Sequence, residues 1–329
     1  MESMTDTLTP LRPLAKMADV VRIENVWDEP DALIESVKQR TPFNLIYGAA
    51  AYDKLGGADP WFRDYWVSEK HSDASELVHH LHNPKLIQAA KRAFKATIVR
   101  PQSLCWNLHA PMVAGRPHFD QAPYRGIDRE SLPTWLLFVI HHSQLFLPWV
   151  VPSTTGLSFF YRGRYGAFEY WPDGPDMPSV REAPPFWNVG VVTDNEFMFH
   201  RPHAVGEPER RFKTGEVGND AKLHHLPGGG WKIVDGEREH RRLHEDEIRF
   251  SMVWKAMVFK DEAAEAVFDN HTDDLSLDIV WDVLGDDLKA RGVSRGLPAE
   301  PMEDRQFRTL LLREYPNPGQ HYFPEAKWR

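Results

Sequence analysis

The sequence predicts a mainly β protein with helices added before and after the β core. Two observations point there. Between Thr97 and Lys260, short apolar runs rich in β-branched and aromatic residues alternate with Pro and Gly turns, the punctuation of an antiparallel sandwich or barrel rather than of βαβ units. On either side of that stretch the apolar residues recur at helical spacing instead.

The first fifteen or so residues, mixing Thr, Pro and Met, read as a loose leader. Asp28-Glu29-Pro30 before Asp31-Ala32-Leu33-Ile34 gives the early proline and acidic first turn of a helix. A second helical tract starts near Ser72-Asp73 and covers Leu77 to Leu81. A third, Pro84 to Phe94, sets Leu86, Ile87, Ala90 and Phe94 on one face. The strand text that follows comprises Ser103–Leu108, Thr134–His141, Gly156–Tyr161, Ala167–Trp171, Asn188–Thr193, Glu196–His200, Trp231–Val234 and Ile248–Phe259. Helical period returns at Leu275, Ile279, Val280, Val283 and Leu284, and Phe307 to Leu312 predicts a last short helix. The expected organisation is one domain over 1–329: an N-terminal helical and extended layer over 1–96, the β core over 97–260 and C-terminal helices over 261–329.

Composition narrows the function classes. A net charge of −9 speaks against a nucleic-acid partner, since neutralising phosphates takes a surplus of Lys and Arg on one face. The basic pairs Arg210-Arg211 and Arg241-Arg242 sit beside glutamates and read as solvated mixed-charge loops. A single Cys105 allows no internal disulfide and fits a reducing compartment; in Ser103-Leu104-Cys105-Trp106 it reads as a buried thiol. Neither a secretory h-region nor an apolar run of membrane-spanning length is evident, so the expectation is cytoplasmic with no membrane partner.

The chemistry starts from His-x-Asp, which on a strand points both side chains to one face and lets them share a metal. With 16 histidines, chance supplies copies, and there are four: His71-Ser72-Asp73, His118-Phe119-Asp120, His244-Glu245-Asp246 and His271-Thr272-Asp273. His71 and His271 adjoin helix starts, where the acid or serine is better explained as a cap. His244 lies in a charged run, Glu237 to Glu247. His118 alone has strand text on both sides, Asn107-Leu108 before it and Thr134–Ile140 after. With a distant histidine, His118 and Asp120 complete the residue types of a 2-His-1-carboxylate facial triad. Asp194 to Gly206 supplies two candidates, His200 and His203. Three residues apart, they face opposite sides of a regular strand, so one of them joins; His200 is preferred and His203 is the alternative. His109, His141 and His142 read as core or surface histidines.

His118-Phe119-Asp120, a histidine far downstream, then Arg249-Phe250-Ser251 on a late apolar strand resemble the iron(II)/2-oxoglutarate oxygenase superfamily over roughly Thr97 to Lys260. The resemblance implies a double-stranded β-helix, or jelly roll, with Fe(II) held by His118, Asp120 and His200. It implies that Arg249 and Ser251 grip the far carboxylate of 2-oxoglutarate, a role suited to a planar guanidinium with a hydroxyl two residues on. In that family the arginine usually follows the distal histidine more closely. Gly206 to Glu247 is then an insertion between the last two core strands, and Arg210 and Arg211 are rivals for the role. Asn107 is a candidate for the cosubstrate, and Tyr124 and Arg125 for the substrate. The implied reaction couples oxidative decarboxylation of 2-oxoglutarate by O2 to hydroxylation, or a related C–H oxidation, of a small organic molecule. Asp120 speaks against halogenation, whose enzymes in this superfamily lack the carboxylate. Two other readings stay open: a cupin-type metal dioxygenase or isomerase without 2-oxoglutarate, and a metal-free β-sandwich binding module that uses the tryptophans.

Overall fold

A computed structural model describes residues 11–47, 57–68, 77–127, 129–130, 132–293 and 296–324. Thirteen strands are described: β1 Val21–Glu24, β2 Phe43–Leu45, β3 Trp61–Val67, β4 Ile98–His109, β5 Ser153–Tyr161, β6 Phe168–Tyr170, β7 Val180–Glu182, β8 Phe186–Thr193, β9 His200–Pro202, β10 Lys222–His225, β11 Trp231–Asp235, β12 Arg238–Leu243 and β13 Arg249–Phe259. Ten form one sheet in the order β1-β8-β5-β13-β4-β3-β2-β10-β11-β12, and three form a second in the order β7-β6-β9. An isolated bridge pairs His118 with His200, so the 118 segment lies beside β9 as a stub of a fourth strand.

This order defines the fold. Numbering the core strands along the chain as β4, the 118 stub, β5, β6, β7, β8, β9 and β13, the large sheet runs first-eighth-third-sixth and the small one second-seventh-fourth-fifth. That interleaving of two antiparallel sheets is the double-stranded β-helix, a jelly roll. The remaining strands lengthen the large sheet. β1, β2 and β3 come from before Thr97. β10, β11 and β12 come from Gly206 to Glu247, the stretch read as an insertion, and β12 takes up Arg238–Leu243 of the charged run Glu237–Glu247 read as loop.

Because side chains alternate across a strand, one face of the large sheet turns to the small sheet and the other to helices. The outer face buries Leu104, Trp106, Met252 and Trp254 with Leu86, Ala89 and Ala90. Those last three belong to a helix at Pro84–Phe94, capped by the Asn83 side chain on Lys85 N and Leu86 N. Gly156 lets this helix approach: a Cβ there would lie 3.1 Å from Leu86 Cδ2 and 3.2 Å from Trp254 Cε3. The inner face carries Cys105, Leu157, Phe159, Val189, Val191 and Val253 against Phe168 and Tyr170 of β6.

The other helical expectations hold at Pro30–Gln39, Leu277–Ala290 and Arg305–Glu314. Of the tract expected from Ser72, only Val78–Leu81 is described as helix; its start, with His71 and Asp73, lies outside the described residues. Two strand expectations are corrected. Thr134–His141 is a helix, Thr134–Ser143, in which Leu136, Val139 and Ile140 are buried at helical spacing. An apolar run of eight has no decisive period, and Pro133 just ahead of it is a helix-start signal outweighed by the β-branched content. Glu196–Phe199 is a turn, and the strand begins only at His200. Among the described residues, no helix is long and apolar enough to cross a membrane.

Candidate metal centre and its cavity

His118 and His200 face each other across the bridge: His118 N donates to His200 O at 3.1 Å and His200 N to His118 O at 2.8 Å. Opposed residues of an antiparallel pair project to one side, and the imidazole centroids stand 4.5 Å apart. Asp120, two residues on from His118, shares its side; its own N–H donates to Asn195 O at 2.8 Å. Among the described residues one ligand atom from each of His118, Asp120 and His200 lies within 4.8 Å of the other two. His200 Nε2 is 3.9 Å from Asp120 Oδ1.

The outer contacts of both rings suit a cation. His118 Nδ1 lies 2.8 Å from Arg116 O, and His200 Nδ1 lies 3.1 Å from Met198 O. A carbonyl accepts only, so each Nδ1 carries the proton and each Nε2 is left with its lone pair toward the centre. Burial, with His118 adjoining, brings His200 down to about 4, so its ring is neutral at pH 7.

Asp120 is oriented by a residue that sequence reasoning missed. Lys255 Nζ donates to Asp120 Oδ2 at 3.0 Å and to Glu196 Oε1 at 2.7 Å, leaving Asp120 Oδ1 on the side of His200. Burial disfavours the Asp120 carboxylate, but Lys255 and the two imidazoles overcome it and hold Asp120 below the usual carboxylate range. Burial likewise opposes the Lys255 charge, and Glu196 and Asp120 overturn it, so the ammonium titrates above its ordinary range. Lys255 ends the inner row Ser103, Lys255 and Thr155, a row fixed by register and invisible to short motifs.

The same face continues away from the triad in rows two residues apart. Tyr65, Cys105, Val253 and Leu157 make the next row; Arg63, Asn107, Ser251 and Phe159 the next; Trp61, His109 and Arg249 the last. All of them line one cavity of about 710 Å³ that also receives His118, Asp120 and His200. The volume is in the range of small-molecule sites. A second cavity of about 780 Å³, edged by Phe138, His142, Asn317 and Phe323, meets the first at His118, Phe119 and Asp120.

Arg249 is 2% exposed and pairs with no carboxylate among the described residues. Its Nε donates to Gly166 O at 2.7 Å, and the guanidinium lies 5.2 Å from the Phe159 ring centroid and 5.7 Å from that of Phe186. Burial without a counter-charge pushes it down to about 10. Beside it both ring nitrogens of His109 and the Trp61 indole N–H are buried without partners; Thr155 Oγ1, toward the triad, is the same. Buried polar groups are nearly always paired, so these orphans mark a place for a polar ligand. His109, read from sequence as a core histidine, is such an orphan, stacked on Trp61 with centroids 4.8 Å apart. The signal was available: it shares strand parity with Asn107 and Cys105.

Other candidates are not brought to the centre. His203 Nε2 is 2.8 Å from Glu169 Oε2, on the opposite side of β9 from His200. Arg210 is paired with Glu247, at 2.8 and 2.9 Å, and Arg211 Nε donates to Gly206 O. Tyr124 packs in a separate core with Leu136 and Ile140, and Arg125 is paired with Asp273 at 2.7 Å. Sequence proximity to the triad does not bring them there: Tyr124 bridges to Val150 and Arg125 N donates to Trp149 O, away from the cavity. Asn107 lines the cavity and its Oδ1 accepts from Arg63 Nε at 2.9 Å. His244 caps a surface turn, and His271 pairs with Asp274.

No protein-family model and no curated protein matches the chain. Among solved structures with some likeness is a 2OG-Fe(II) oxygenase family oxidoreductase from Burkholderia pseudomallei, at 10% identity and TM-score 0.40 over 74% of this chain and 85% of that one. A prolyl hydroxylase from Trichoplax adhaerens gives 9%, 0.41, 76% and 86%. A non-haem α-ketoglutarate-dependent epimerase from nogalamycin biosynthesis gives 13%, 0.41, 73% and 78%. Likenesses this distant decide nothing about activity, which has to be read from the chain's own residues.

Proposed function

We propose that this chain is a non-haem iron(II) oxygenase that consumes 2-oxoglutarate and O2 and oxidises a C–H bond of a small organic substrate. One observation carries the reading: a facial-triad ligand set and an unneutralised buried guanidinium open onto the same cavity. Two imidazole Nε2 atoms and one carboxylate are the donors a divalent iron centre takes while keeping positions open. When bound, iron and 2-oxoglutarate supply the oxidising power, with succinate, carbon dioxide and a hydroxylated product as the balanced outcome.

The chain's own residues position and shield. His118, Asp120 and His200 would hold the metal, with Lys255 keeping Asp120 turned so that Oδ1 is available. Arg249 and Ser251 would take the distal carboxylate of the cosubstrate, a dianion that supplies the missing counter-charge. His109 and Trp61 offer hydrogen bonds next to it. Phe119, stacked on His141 at 4.8 Å between centroids, anchors the segment that carries Asp120. A cupin-type reaction without 2-oxoglutarate leaves Arg249, His109 and Trp61 unexplained, which favours the cosubstrate reading.

The test is whether 2-oxoglutarate, with Mn(II) as a redox-inert metal, raises the melting temperature, and whether iron-dependent succinate formation is lost in His118→Ala, Asp120→Ala and His200→Ala. An active Asp120→Ala protein under metal-controlled conditions, or no response to 2-oxoglutarate, removes the proposal.

A further inference from the structure

We infer that Arg63 is a specificity-determining residue that receives a carboxylate of the substrate, so that the substrate is a small carboxylic acid with an apolar or aromatic body. The inference rests on the proposed function for its chemistry but on different residues for its geometry.

Arg63 lies on β3, beyond the eight jelly-roll strands, in register with Asn107 of β4 and through it with Ser251 of β13. Register therefore turns it into the cavity that holds the triad, two strands away from Arg249 and one row nearer the metal ligands. At ordinary strand spacing this separates the Arg63 and Arg249 backbones by roughly 10 Å across the sheet and roughly 7 Å along it. The two guanidiniums thus serve different parts of the cavity.

What fixes Arg63 is neutral. Nε donates to Asn107 Oδ1 at 2.9 Å, Nη1 donates to Tyr65 Oη at 3.1 Å, and the guanidinium stands 5.5 Å from the Tyr65 ring centroid. It pairs with no carboxylate among the described residues, and Nη2 has no protein acceptor there. A planar fork steered by two neutral partners, with its charge uncompensated and facing a cavity, is a pre-organised carboxylate receptor.

The cavity's balance of charge agrees. In a chain of net charge −9, its described lining carries Arg63, Arg116, Arg249 and Lys255 against Asp120 as its one carboxylate. Lys255 is engaged by Asp120 and Glu196, and Arg249 is reserved for the cosubstrate. Around Arg63 the wall is apolar and aromatic: Ile46, Tyr47, Trp61 and Tyr65. An anionic head at Arg63 with an apolar body against these rings leaves the C–H bond to be oxidised toward the metal.

The experiment is calorimetry on the full chain with Mn(II), using 3-phenylpropionate and its neutral isostere 3-phenylpropionamide as probes, flanked by phenylacetate and 4-phenylbutyrate. In the wild type the acid is expected to bind at least tenfold more tightly than the amide. Arg63→Gln should remove that preference, weakening the acid about ten- to a hundredfold, the value of a charge-assisted pair, while leaving the amide unchanged. Arg63→Lys should fall between, and the melting temperature of each variant reports folding. A purely structural Arg63 would move acid and amide together. Preference retained in Arg63→Gln, or no acid of the series preferred by the wild type, overturns the inference. So does a loss of 2-oxoglutarate affinity in Arg63→Gln as large as in Arg249→Gln. If wild type ignores 2-oxoglutarate yet its acid preference disappears with Arg63→Gln, the cosubstrate reading falls and the subsite stands.

Discussion

Replacing Arg249 with methionine separates a ligand-binding arginine from a structural one, because the two roles predict opposite effects on the empty protein. Burial pushes the guanidinium down to about 10, and relative to its ordinary range that corresponds to roughly 3 kcal/mol of unfavourable burial. Against this stand the hydrogen bond to Gly166 O, worth roughly 1–2 kcal/mol, and contacts with the Phe159 and Phe186 rings of roughly 0.5–1 kcal/mol each. The terms nearly cancel, and methionine restores apolar packing between the rings. The metal-free variant should therefore melt within a few degrees of wild type, or slightly above it.

With ligand the two proteins part. At a hundred times its dissociation constant, 2-oxoglutarate stabilises the wild type by about 2.7 kcal/mol, roughly 4 °C for a chain of this size. Losing a bidentate, desolvated pair costs about 2–4 kcal/mol, so the same concentration produces almost no shift in Arg249→Met. Differential scanning calorimetry with Mn(II), with and without 2-oxoglutarate, reads both quantities. A metal-free variant destabilised by more than about 3 kcal/mol would make Arg249 a structural residue, and a full ligand shift in the variant would refute the grip outright.

Three further outcomes follow from the same geometry. Lys255→Met leaves Asp120 and Glu196 facing each other without their cation; the metal-free protein should lose about 3–5 kcal/mol, and Mn(II) should restore more of its melting temperature than it adds to wild type. Gly166→Ala forces a left-handed backbone on alanine at φ +70° and sets a Cβ 3.1 Å from Arg249 Cδ; a loss of about 1–2 kcal/mol and a weaker response to 2-oxoglutarate should both be seen in thermal titrations. Burial lowers His141 to about 3 and His109 well below its ordinary value, so the unfolded chain takes up protons there that the folded one refuses. Stability should then rise with pH, and below about pH 6 it should fall by roughly 1.4 kcal/mol per unit for each of the two, a slope that urea titrations across pH 4–7 measure. His141→Asn should reduce that slope by about 1.4 kcal/mol per unit and leave the His109 share in place.

Much of this was legible in the sequence because it is local. Short apolar runs of β-branched and aromatic residues between Pro and Gly turns located β4, β5, β8, β11 and β13, and His118-Phe119-Asp120 showed its shared face without any knowledge of tertiary structure. Parity said that only one of His200 and His203 can join the triad, and the two do turn to opposite sides, His200 toward Asp120 and His203 toward Glu169. The failures have equally local causes. Thr134-Trp135-Leu136-Leu137 reads as strand by composition, and only its docking, with Leu136 and Ile140 buried together, makes it helix. Arg210 and Arg211 sit at a plausible sequence distance from His200, but Glu247 and Gly206 O already occupy them.

What stayed hidden is whatever depends on register between distant strands. Nothing near Arg63 or Trp61 marks them as facing a metal. Their side is set by hydrogen bonding of β3 to β4, and that of β4 by β13, across most of the chain's length. A slip of one residue between β3 and β4 would turn Arg63 outward and bring Phe62 and Asp64 into the cavity. Two buried residues oppose such a slip: Phe62, wholly covered on the outer face, and Trp66, whose indole N–H donates to Asp64 Oδ2 at 2.9 Å. The outer-face packing of β3 is thus what aims its inner-face cation, so Phe62→Ala should blunt acid-over-amide discrimination without touching the cavity. The variant should lose about 3–5 kcal/mol from the core, and the same calorimetric titration that tests Arg63 reads the discrimination.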